Sequence, residues 1–129
     1  MVIVIIGILV ILALTQYGSY KETVLDKEAR ANLKLMIAAE RIYRMTAGGY
    51  YPMASGTISD MSAINTNLKL FLSTISQARW NYLTTSDNLT SATCVQATRN
   101  GADARTFRMR QTTDPATTDN DPVAGGSCP

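Results

Sequence analysis

Met1-Val2-Ile3-Val4-Ile5-Ile6-Gly7-Ile8-Leu9-Val10-Ile11-Leu12-Ala13-Leu14 opens the chain without one polar side chain. As a helix this run is apolar on every face, so its lasting neighbours must be lipid or other protein rather than water. At about 1.5 Å per residue it covers about 21 Å, short of the roughly 30 Å hydrocarbon core that a spanning helix crosses. A cleaved signal peptide would need a basic segment ahead and a small-residue site behind, which Leu12-Ala13-Leu14-Thr15-Gln16 fits poorly. A central helix buried in a soluble domain would need comparably apolar segments around it, and the chain holds no other. A membrane-resident helix that later packs against copies of itself needs neither.

From Tyr17 onward the pattern turns amphipathic. Tyr20, Val24, Ala31, Leu35, Ala38, Ile42 and Met45 recur at helical spacing, and a second stripe of Leu25, Ala29, Leu33, Met36 and Tyr43 lies beside them. Together they predict one wide apolar face covering a sheet. No proline falls within residues 1–51, and Gly48-Gly49 followed by Pro52 supplies a helix stop. The expectation is one helix of about 45 residues, approaching 70 Å. That is longer than any small domain, so its first half protrudes while its second half packs, giving a ladle shape. On the polar face, Asp26 with Arg30 and Glu40 with Arg44 stand at i, i+4 spacing and predict intrahelical ion pairs. Lys21, Glu22, Lys27, Glu28 and Lys34 make a solvated face or, alternatively, pair with neighbouring subunits.

Beyond the helix, residues 48–57 read as a loop and Ser59-Asp60-Met61-Ser62-Ala63-Ile64 as a capped helical turn, after which Leu68, Leu70 and Leu72 alternate. Trp80-Asn81-Tyr82-Leu83-Thr84, Ala92-Thr93-Cys94-Val95-Gln96-Ala97 and Arg105-Thr106-Phe107-Arg108-Met109-Arg110 predict short antiparallel strands, turning at residues 86–88 and 100–103. A meander of three or four strands follows. The predicted fold class is therefore α+β: a protruding apolar helix over 1–16, its amphipathic continuation over 17–47, a connecting region with a short helix over 48–79, the meander over 80–111 and a C-terminal loop over 112–129.

Composition narrows the function. The 129 residues carry a net charge of +2 and no histidine, so the commonest general base and metal ligand are missing, and a strongly basic nucleic-acid binder is not indicated. Cys94 and Cys128 lack CxxC spacing and fall in the polar half. One disulfide is the natural reading in an oxidising compartment, stabilising by roughly 3–4 kcal/mol through loop closure; two unpaired buried thiols are the alternative. The bond would fold the Thr- and Asp-rich tail back onto the second predicted strand. No GxSxG, HExxH or phosphate-cradling glycine loop occurs, so no enzyme, cofactor, metal or small-molecule substrate is expected. Asp114, Asp119, Asn120 and Asp121 offer hard oxygen ligands in no loop signature, and Arg99, Arg105, Arg108 and Arg110 could form a basic patch, though a solvated face is the plainer reading of each. Asn88-Leu89-Thr90 matches a glycosylation sequon of low specificity.

The run Ile5-Ile6-Gly7-Ile8-Leu9 with its apolar flanks, its continuation through Ala13-Leu14-Thr15-Gln16-Tyr17, and Ala38-Ala39-Glu40-Arg41-Ile42-Tyr43 leading to Gly49-Tyr50-Tyr51-Pro52 resemble the N-terminal helix of type IV pilins and pseudopilins. The resemblance is strong over residues 1–52 and loose afterwards. It implies a major structural subunit of an extracellular pilus, held in inner-membrane lipid, handed on by assembly machinery, and polymerised as a helical homopolymer; a type II secretion pseudopilin or a minor pilin is the alternative. By the same resemblance Val2, Ile5, Ile6, Gly7, Leu9, Leu12 and Tyr17 would pack in the filament core, and Leu25, Leu33, Met36 and Tyr43 against the head. The family's basic leader, phenylalanine and following glutamate do not precede Met1, so a segment of about seven residues is expected upstream, which would restore a helix of spanning length. Thr15 stands where many pilins carry a helix-loosening proline.

Overall fold

A computed structural model of the chain describes residues 2–74, 78–88, 91–101 and 103–128, the side chains of residues 2, 13–16 and 88 excepted. Helix α1 runs unbroken from Val2 to Ala47, 46 residues, through Thr15 without interruption. It stops where Gly48, at φ 84°, donates its N–H to the Arg44 carbonyl at 2.9 Å and turns the chain left-handed. The remainder is a five-stranded antiparallel sheet in sequence order: β1 Gly56–Ile58, β2 Trp80–Asn88, β3 Ala92–Arg99, β4 Thr106–Thr112 and β5 Val123–Ala124. The α+β class is thus observed, with two strands more than the three that alternation marked out.

Between β1 and β2 lies α2, Met61–Leu68, a two-turn helix longer than the single turn expected. Its N-cap is Asp60, whose Oδ1 accepts from Ser62 N at 2.9 Å. Lys69 ends it at φ 55°. The leucine alternation then becomes an extended segment without a strand partner: Asn65 substitutes for one, donating Nδ2 to Leu72 O at 2.8 Å and accepting from Leu72 N at 3.0 Å. Leu70 and Leu72 turn inward and Phe71 between them points fully outward.

The core forms between one stripe of α1 and one face of the sheet. Leu25, Ala29, Leu33, Met36 and Ile37 from the helix meet Trp80 and Tyr82 of β2, Val95 and Ala97 of β3, and Phe107 and Met109 of β4, with Ile64 and Leu68 of α2 closing one side. The strand residues alternate as a half-buried sheet requires. Tyr43 packs against this cluster from the edge, its ring edge-on to Tyr51 at 5.7 Å between centroids.

The wide apolar face expected of α1 is halved. The stripe of Leu25, Ala29, Leu33 and Met36 is buried, whereas Tyr20, Val24, Leu35, Ile42 and Met45 of the neighbouring stripe lie exposed. A single five-stranded sheet is wide enough to cover only one stripe, and the other is left on the outside of the helix.

The opposite sheet face carries Cys94 and Gln96 of β3 beside Arg110 and Arg108 of β4. Across it the C-terminal segment returns from β5, and Cys94 is bonded to Cys128 with Cα atoms 5.7 Å apart. Because β4 separates β3 from β5, residues 125–128 cross over β4 to make that bond. The crossing is close: a Cβ at Gly126 would lie 2.9 Å from Arg108 Nε, which that side chain could relieve by shifting, and the φ of 75° at Gly126 is what favours glycine there. Cys128 N donates to Gln96 Oε1 at 2.9 Å, fixing the end of the strap. The disulfide and its anchoring of the tail on the Cys94 strand are as expected.

Candidate functional site

The candidate site is the surface of α1 that the head leaves bare. Ile3, Val4, Ile5, Ile6, Ile8, Leu9, Val10, Ile11 and Leu12 are each between 51% and 85% exposed, so no face of this stretch is covered. Gly7 sits among them with nothing within 4 Å of where a Cβ would be. Of the residues expected in a filament core, Ile5, Ile6, Gly7, Leu9, Leu12 and Tyr17 are available to neighbours; the Val2 side chain lies outside the described residues. The helix of 3–47 has the length and composition to cross a membrane. The four residues expected to bind the head, Leu25, Leu33, Met36 and Tyr43, do so.

Farther along α1, Tyr17, Tyr20, Val24, Leu35 and Ile42 are also exposed, and Leu35, Ala38 and Ile42 wall an open groove of about 570 Å³ with Leu68 and Leu70 beyond.

Where helix meets head, the joint is electrostatic. Glu22 accepts from Arg99 of β3, Nη2 at 3.0 Å with a closer Nη1 contact, and from Arg105 just before β4, which also reaches Asp26 at 2.9 Å and Asp103 at 2.7 Å. Hydrogen bonds from Arg99, followed by its charge and that of Arg105, hold the Glu22 carboxyl down at about 2. Higher up, Lys34 pairs with Asp121 at 2.5 Å and Arg30 donates to Pro122 O at 3.4 Å, tying the helix to the tail.

These contacts correct several expectations. The i, i+4 pairs do not form: Asp26 turns to Arg105, Arg30 lies over the Phe107 ring at 4.8 Å, and Arg44 lies over Tyr50 at 5.0 Å. Tertiary partners outcompete a helical pair that supplies only a few tenths of a kcal/mol. Within the chain, Glu22 pairs with Arg99 and Arg105, and Lys34 with Asp121. The arginines make neither a basic patch nor a solvated face, since Arg99 and Arg105 are neutralised by the helix, Arg110 by Asp87 at 3.4 Å, and Arg108 lies under Gly126. Asp114 caps Ala116 N, Asp119 accepts from Arg110 N and Asp121 holds Lys34, so these oxygens are committed to protein partners. Among the described residues no group of three acidic, His or Cys side chains could hold a metal ion. The sequon falls on Leu89 and Thr90, outside the described residues.

One polar residue was hidden in the helical pattern. Glu40 is fully buried, its Oε2 accepting from Tyr51 N at 2.9 Å and its Oε1 from Thr84 Oγ1 at 2.9 Å. Burial, opposed by those two donors, pushes its carboxyl up to about 7. It joins α1, the chain after the helix and β2 at one point. A charged residue aligned with the apolar stripe at Met36 and Tyr43 was the only sequence sign of it.

No protein-family model, no curated protein and no solved structure matches this chain.

Proposed function

We propose that this chain is the subunit of an extracellular filament, a type IV pilus in its finer form, held in the inner membrane before assembly and polymerised by packing of its N-terminal helix against copies of itself. The observation that carries this reading is the uncovered helix: nine large apolar residues between Ile3 and Leu12 are exposed on every face. Leaving such surface in water costs about 25 cal/mol for each Å². Lipid covers it first, and other helices cover it afterwards, with close packing rather than the hydrophobic effect driving the exchange from lipid. Gly7 offers a point of close helix approach. A head closed by a disulfide suits an extracytoplasmic setting and favours a pilus over a pseudopilin. A catalytic reading has no motif to rest on, since the sequence carries neither a histidine nor a GxSxG or HExxH run.

Electron microscopy of the purified protein transferred out of detergent tests the proposal. Long, thin, unbranched fibres with a central bundle of helices are expected. A monodisperse monomer in plain buffer overturns it.

A further inference from the structure

At the lower rim of the head, where α1 emerges, aromatic and cationic side chains gather. Tyr17 is 70% exposed and Tyr20 is 72% exposed. With Lys21, Val24 and Leu25 they line a shallow recess of about 230 Å³ whose far wall is Arg79, from the segment that leads into β2. The Arg79 backbone is fixed beside the recess through its carbonyl, which accepts from Asn100 N at 2.9 Å.

The charge balance at this rim favours an anion. The carboxylates that could neutralise it are engaged: Glu22 by Arg99 and Arg105, and Asp26 by Arg105. Glu28 shares the adjoining cavity with Arg79 but is not within salt-bridge distance. Among the described residues neither Lys21 nor Arg79 has an ion-pair partner.

Position along the helix bears on what the anion is. The last residue of the apolar run is Leu14, so Tyr17, Tyr20 and Lys21 follow it by roughly 5, 9 and 10 Å along the helix axis. Each headgroup layer of a bilayer is roughly 5–8 Å thick. With the apolar run in hydrocarbon, the Tyr17 ring stands in the headgroup layer, where such rings concentrate. Tyr20, Lys21 and Arg79 lie at or just beyond its outer margin, from which the long basic side chains reach back to the lipid phosphates.

We propose that the recess formed by Tyr17, Tyr20, Lys21 and Arg79 docks the head on an anionic phospholipid surface while the helix is in the membrane. This rests on the membrane-resident state proposed above and adds to it a headgroup preference and a fixed orientation: the head is seated on the bilayer rather than swinging on its helix. Release into a filament then requires these contacts to be surrendered.

The test uses the full chain reconstituted in vesicles of phosphatidylcholine, alone or with phosphatidylglycerol added. Trp80, the single tryptophan, follows Arg79 directly and reports the approach of lipids brominated near the headgroup. Quenching is expected to rise with phosphatidylglycerol and to fall with added salt. The docked population should fall about fivefold for each cation removed in Lys21→Gln and Arg79→Gln. Lys69→Asn, at the other end of the head, should change nothing, and unaltered circular dichroism will show that the variants fold. Equal quenching in both lipids, or quenching indifferent to the Lys21 and Arg79 substitutions, overturns the docking surface while leaving the membrane-resident helix standing. Failure to float with either vesicle overturns both.

Discussion

The two halves of α1 are one continuous helix with opposite relations to the rest of the molecule. Between Ile3 and Leu12 every large side chain is exposed, whereas between Leu25 and Glu40 one stripe is sealed against the sheet. The backbone is the same; the difference lies in whether polar residues divide the helix into faces. An amphipathic face can be satisfied within one subunit, because a small sheet covers it. An apolar cylinder cannot, because no single surface wraps a cylinder. The point where one regime gives way to the other is marked by charge, at Glu22 and Asp26 gripped by Arg99 and Arg105.

The comparison breaks if one substitution has the same effect in both halves. Leu33→Ala removes a fully buried side chain and is expected to cost the head about 2–5 kcal/mol in thermal or denaturant unfolding. Leu9→Ala in detergent should leave that unfolding unchanged; an equal loss would mean that the lower helix is covered within the subunit. Cys94→Ser with Cys128→Ser opens a loop with a sequence separation of 34, and the head should lose about 3–4 kcal/mol.

Two carboxylates on the same helix sharpen the contrast through pH. Glu40 has its folded value raised from 4.5 to about 7. Its favourable contribution is therefore complete below pH 4.5 and is lost as pH rises towards 7, by about 3 kcal/mol at most. Glu40→Gln should flatten the stability profile over that window, measured as Tm against pH. Glu22 has its value lowered from 4.5 to about 2, so its contribution stands above pH 4.5 and disappears as pH falls towards 2. This solvent-screened pair gives the smallest effect, an acid limb of the Tm profile that Glu22→Gln should shallow. The head should thus be most stable in mildly acidic solution.

The long helix and the three central strands were legible because their periodicities run over many residues. The head-facing residues Leu25, Leu33, Met36 and Tyr43 were named, but the wide face read from both stripes did not foretell that Tyr20, Val24, Leu35 and Ile42, which are as apolar, would stay bare, because the width of the sheet decides that. Strands β1 and β5, three and two residues long, carry no readable alternation and exist because β2 and β4 offer them edges. The helical ion pairs failed because local spacing is blind to distant partners, and Arg105 is 79 positions from Asp26. Glu40 was misread for the same reason, its two donors arriving from Tyr51 and Thr84.

The strap that crosses β4 also bears on mechanics. Every covalent path from residue 94 to residue 128 is short-circuited by one sulfur bridge, so a pull along the chain cannot unravel the stretch between them. At about 3.4 Å per extended residue, roughly 115 Å of slack is withheld from a stretched subunit. What remains extensible lies before β3, where the molecule joins its helix; a strained fibre of such subunits would lengthen there and spare the outer half of each head.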